Sequence, residues 1–141
     1  MALPFERAVL KTPKPMSLEK VAQAVRASWT STTSYDPTGW SETNPAWGQC
    51  AVTALIVQDF FGGTLWRGHA FGHEHYWNQL AERKVDLTIE QFHHSSQPSS
   101  SPADAPSEVS REYVLSFPST RERYHALRDA VCRALSLDGT L

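Results

Sequence analysis

The apolar positions along the chain change period several times, and each change marks an element. Leu18, Val21, Ala22, Val25 and Trp29 recur every three or four residues, the spacing of one helix face, which predicts a helix over about 18–28. Ser17 stands before it as an N-cap, and Glu19 lies in the first turn, where the helix dipole favours an anion. From Cys50 to Phe60 the residues are apolar on nearly all sides, which predicts a buried central helix. Gly62 and Gly63 end it. The period then drops to two. TLWRGHA and HEHYWNQL read as strands about a turn at Gly72, AER turns the chain again, and KVDLT alternates as a third short strand. IEQFH then leaves the sheet. Ser119 and Glu122 form a capping box ahead of Tyr124, Leu127, Val131, Ala134 and Leu135, which predicts a last helix ending near 136.

The segments between these elements have their own signatures. Residues 1–16 carry prolines, with Pro13 and Pro15 stiffening an extended lead-in. Residues 30–48 are rich in Ser, Thr, Gly and Pro. A loop that long in a compact domain carries a function, and Tyr35, Trp40 and Trp47 give it aromatic anchors. Residues 95–110 are rich in Ser, Pro and Ala, the composition of a flexible loop. The organisation expected is therefore a lead-in (1–16), a core (17–94), a flexible loop (95–110) and a C-terminal strand/helix segment (111–141) packing on the same domain. Helices set apart from antiparallel hairpins make the class α+β, with a central helix packed on an antiparallel sheet.

Composition narrows the function. Thirteen Lys and Arg against 15 Asp and Glu give a formal charge of −2, too little positive charge to neutralise a phosphate backbone, so no nucleic-acid partner is expected. No apolar run reaches membrane-spanning length, and the early Pro, Glu and Lys do not fit a signal peptide. With two cysteines in 141 residues, a disulfide scaffold is excluded and a reducing cytoplasm is the expected compartment. Five tryptophans are unusual in so short a chain, and four of them fall between positions 29 and 66.

One constellation carries chemistry. Cys50 sits where the long loop becomes the central helix, and a helix start favours the negative thiolate, which is the nucleophilic form. His75 and Asp86 follow. If the hairpin turns around residues 80–82, positions 75 and 86 lie near each other across the ladder. The imidazole would handle the thiol proton, and Asp86 would orient it. Asn44 and Gln49 are side-chain amides near Cys50 that could serve an oxyanion, and Trp40 and Trp47 could wall a cleft. Read alone, each has a plainer role: Cys50 as a small buried apolar group, His75 as a hydrogen-bonded core residue, Asn44 as half of an Asn-Pro turn. A second chemistry is metal binding, since His73 and His75 share a strand face, with His69, Asp86 or Cys50 as further ligands. A third is a non-catalytic binding module built on the same cleft.

The order of Cys at a helix start, His on a strand and a carboxylate on the next strand is similar to papain-like cysteine peptidases, including small NlpC-type members. That resemblance implies a papain-like fold, no cofactor, and a peptide or small amide substrate. In papain a Gln six residues before the Cys serves the oxyanion, and Asn44 stands at that spacing here. The run WSxxNPxxGQCAVTALIVQD (Trp40 to Asp59), Gly62-Gly63, HYWN (His75 to Asn78), VDLT (Val85 to Thr88) and Gln91-Phe92 resembles the YunG-like family of small bacterial proteins over roughly residues 28–92.

Overall fold

A computed structural model describes residues 16–92 and 105–136. The expected lead-in over 1–16 falls outside these residues apart from Met16. Helix α1 spans Leu18–Ser28, as its period predicts. Ser17 Oγ accepts the Lys20 N–H at 3.1 Å, satisfying one of the donors that a helix start leaves without a partner. Helix α2 spans Cys50–Phe61, and every residue from Val52 to Asp59 is buried. It is apolar all round because it is covered all round: the sheet packs on one side and a C-terminal helix on the other. That helix, α4 (Pro118–Ala134), also packs on α1. Leu55 and Val57 are fully buried and Ile56 nearly so, each contributing roughly 1.5–3 kcal/mol.

Strands β1 (Thr64–Ala70), β2 (His73–Leu80), β3 (Arg83–Val85) and β4 (Ser107–Val109) form one antiparallel sheet in the order β3-β2-β1-β4. The class is α+β. The β1–β2 turn is Phe71-Gly72, both at positive φ, the backbone that suits a two-residue hairpin. Phe71 tolerates this conformation while its ring stacks on Phe92 at 5.0 Å.

Several sequence expectations need correction. The third strand stops at Val85, before Asp86, because the chain turns out of the ladder into a 3-10 turn, Ile89–Phe92. Of the segment expected to be a flexible loop over 95–110, residues 95–104 lie outside the described residues, and the described end contains β4, an edge strand on β1 with Leu65 opposite Val109. Three residues are too few to show a period. A five-residue helix, α3 (Arg111–Leu115), was hidden for the same reason, although Ser110 caps it by accepting the Tyr113 N–H at 3.0 Å. The Ser119–Glu122 capping box is not formed. Helix α4 starts at Pro118 with Phe117 at the N-cap, since proline's fixed φ suits the first helical position, and Ser119 Oγ instead accepts from Arg123 Nε at 3.2 Å.

One polar joint ties the helices together. Asp59, buried in α2, pairs with Arg111 Nη2 at 2.7 Å and accepts the Tyr124 hydroxyl proton at 2.6 Å. Burial pushes the Asp59 carboxyl up from its ordinary value, while Arg111 and Tyr124 oppose that shift.

Candidate functional site: a Cys–His–Asp cluster

The long loop is a packed cradle that delivers Cys50. Ser34 Oγ donates to Trp47 O at 2.7 Å, and Tyr35 N donates to Gly48 O at 2.8 Å. Gly48 has φ +75°, and a Cβ there would stand 2.3 Å from Ser34 Oγ and 2.8 Å from Tyr35 N, so only glycine fits. The next residue, Gln49, is fully buried. Its Oε1 accepts from Thr33 Oγ1 at 2.8 Å and its Nε2 donates to Thr30 O at 3.0 Å. Gln49 therefore locks the loop to the helix start, and its amide is spent there rather than offered to an oxyanion. Cys50 follows as the first residue of α2, half-buried.

His75 lies on β2 with its side chain 2% exposed, and its Nε2 meets Asp86 Oδ2 at 2.7 Å. The pair expected from the hairpin is formed, but not by the expected register. Asn78 opposes Val85 and Leu80 opposes Arg83. One further step along that ladder would set Asp86 opposite Trp77, two residues from His75. A shift of two keeps a side chain on the same face of a sheet, so Asp86 reaches His75 diagonally.

Burial alone would push the His75 imidazole below its ordinary value. The hydrogen bond the ring donates to Asp86, together with the neighbouring Cys50, overcomes this and raises it to about 9. Nε2 is occupied by Asp86, while Nδ1 is buried and makes no hydrogen bond of good geometry. Cys50 is among the groups that raise the imidazole, so it lies within electrostatic reach of the ring.

Aromatic rings enclose the imidazole. Phe92 meets His75 edge-on at 5.2 Å and Trp77 lies 5.9 Å from it. Phe92 also stacks on His73 at 5.8 Å, and Trp47 meets His73 edge-on at 5.2 Å. Trp47 therefore belongs to the wall of the site, with its Nε1 held by Asp36 Oδ2 at 3.1 Å. Trp40 is bonded back into its own loop, Nε1 to Pro45 O at 2.9 Å. Asn44 Nδ2 donates to Gln91 O at 3.0 Å, which clips the loop to the 3-10 turn. Among the described residues no group of three or more His, Cys, Asp or Glu is arranged to hold a metal ion. His73, the ligand proposed beside His75, is exposed and stacked on Phe92.

Two residues of the site carry no periodic signal in the sequence. Gln91 is buried, and its Oε1 accepts the Gly48 N–H at 3.0 Å. The next residue, Phe92, lies against His75. The Gln91-Phe92 dipeptide thus joins the cysteine's loop to the histidine's ring. Only its place in the family-like motif pointed to it. A separate groove of about 610 Å³ runs along α1 and includes Leu18, Ala22, Arg26, Arg83 and Leu87. It contains none of the Cys50 cluster.

These features define an α+β domain with a buried His–Asp pair beside a helix-start cysteine. The chain belongs to the YunG family: residues 17–136 match the family described as YunG protein. It is similar to "Uncharacterized protein YunG" of Bacillus subtilis (strain 168), with 32% identity over 119 residues, covering 84% of this chain and 95% of that protein. No solved structure matches it.

Proposed function

We propose that this protein is a cysteine-dependent acyl-transfer enzyme with Cys50 as nucleophile, His75 as proton carrier and Asp86 as the group that orients His75. The observation that carries this reading is the buried imidazole gripped by Asp86 on Nε2, with Nδ1 left without a partner beside the cysteine that starts α2. At neutral pH the ring holds its proton, which makes it the acid for a leaving amine. The Cys50 thiolate attacks the acyl carbon of a peptide, isopeptide or other amide, so a C–S bond forms. The C–N bond breaks as His75 gives its Nδ1 proton to the amine. Water or an acceptor amine then attacks the thioester, His75 takes the incoming proton, and the C–S bond breaks to return the thiolate. The N–H groups of the first turn of α2, which helix geometry leaves without intrahelical acceptors, face the developing oxyanion. This is the chemistry of papain-like enzymes, and it needs no cofactor. Its thiolate suits a reducing compartment such as the cytoplasm.

The test uses an activated ester, p-nitrophenyl acetate, with intact-mass and peptide-mass readouts. Wild type should release p-nitrophenol and show an acetyl group on Cys50. Cys50→Ala should release it no faster than buffer. Release by Cys50→Ala at the wild-type rate would end the proposal.

A further inference from the structure

Two arginines of the helical layer, Arg111 and Arg123, are treated differently. Arg111 has a carboxylate, Asp59, at 2.7 Å. Arg123 on α4 is the more deeply buried of the two, at 8% exposed, and its bonds go only to uncharged acceptors: Ser119 Oγ, Thr33 O and Thr120 Oγ1, each at 3.2 Å. Among the described residues it forms no ion pair. A buried guanidinium without a carboxylate is costly to keep, and arginine cannot shed its proton to escape the cost.

Its surroundings lie at the Cys50 site. Arg123 bonds to Thr33, Thr33 bonds to Gln49, and Gln49 is the residue before Cys50. Burial pushes the guanidinium down from its ordinary value, and the groups that oppose this are Cys50 and Tyr35. The Tyr35 ring covers the guanidinium at 5.7 Å and is itself 77% exposed on the loop. An aromatic face open to solvent therefore lies over a cation that no protein acid neutralises.

Charge counting shows what this cation changes. With the thiol ionised, Cys50 and Asp86 contribute two negative charges and His75 one positive charge. Without Arg123 the cluster is net negative and repels an anion. With it the cluster is neutral, and the added positive charge is shielded from solvent and little screened by salt.

We propose that Arg123 sets the charge preference of the Cys50 site, which therefore accepts acyl donors carrying an anionic group, such as a carboxylate, near the acyl carbon. This inference rests on the reading of Cys50 as a nucleophile. Arg123 acts through its field and through Tyr35, so it is a specificity-determining residue and not a catalytic one.

Two alkylating reagents of nearly equal size separate the cases: iodoacetate, which is an anion, and iodoacetamide, which is neutral. Each forms an S–C bond at the thiolate with loss of iodide. The readout is the ratio of their rates at Cys50, by peptide mass spectrometry, so a general loss of reactivity cancels. In native wild type the ratio should exceed that of the same cysteine in the urea-unfolded chain. In Arg123→Met it should fall about tenfold, and Arg123→Lys, which keeps the charge but loses the forked bonds, should stay within about twofold of wild type. If Arg123→Met slows both reagents equally, Arg123 is only a tether for the Thr33 loop and the inference fails. A native wild-type ratio no higher than the unfolded one overturns it without any variant, even if the variants do not fold. Slow reaction of native Cys50 with both reagents would instead sink the nucleophile reading, a distinguishable result.

Discussion

Replacing Asp86 by Asn removes the charge that holds a proton on a buried imidazole while keeping nearly the same shape. The His75 side chain is 2% exposed and that of Asp86 10% exposed, so little solvent screening dilutes the effect. His75 is raised from 6.5 to about 9 in the fold. A pKa raised on folding adds stability that is complete below the unfolded value and is lost as pH rises through the folded value. For His75 the window runs from about 6.5 to about 9. At 1.36 kcal/mol per unit the whole contribution is about 3 kcal/mol, most of it still present at pH 7. In Asp86→Asn, burial dominates and the ring folds neutral. The assay is urea unfolding of wild type and Asp86→Asn at a series of pH values from 6 to 10. The stability gap between them should nearly vanish by pH 10 and grow as pH falls, reaching roughly 3–4 kcal/mol at pH 6. A gap that stays constant across that range would mean that the His75–Asp86 contact does not hold a proton, and the reasoning would fail.

Other substitutions test separate parts of the account. Cys50→Ala should abolish ester turnover while shifting stability by less than about 1 kcal/mol, since one small half-buried side chain replaces another; thermal melting and p-nitrophenol release check the two halves. Gln91→Leu leaves the Gly48 N–H without its acceptor, so it should cost about 1–3 kcal/mol in urea unfolding and slow Cys50 alkylation, because the cysteine's loop loses its clip to Phe92. Arg111→Met strands the Asp59 carboxylate inside the helix layer and should cost about 3–5 kcal/mol, with part of the loss recovered in the Arg111→Met/Asp59→Asn double variant.

The sequence announced those parts of the fold whose period is long enough to read. Helices α1 and α2 and the β1–β2 hairpin fall where their spacing puts them, since each buries one face, or in α2 every face, against a neighbour. Elements of three to five residues, β4 and α3, were invisible because no period fits in them and their place is set by pairing with β1 and packing on α4. The His75–Asp86 contact was foreseen through a register two residues from the observed one. It survived because an even slip preserves the face; a slip of one would have pointed Asp86 away. Gln49 looked like an oxyanion donor from its position beside Cys50, but its amide is consumed by Thr30 and Thr33, partners that lie 19 and 16 residues earlier. Gln91 and Arg123 reach the site from elements 41 and 73 positions beyond Cys50, and only tertiary packing brings them there.

The most direct test of the central claim is the rate at which iodoacetamide alkylates Cys50 at neutral pH, followed by peptide mass spectrometry in wild type and in His75→Ala. Cys132, buried at 2% exposure, is the internal control. Cys50 should react much faster than Cys132 and faster than in the unfolded chain, and His75→Ala should remove this advantage by at least about tenfold. Equal rates in wild type and His75→Ala would contradict the claim.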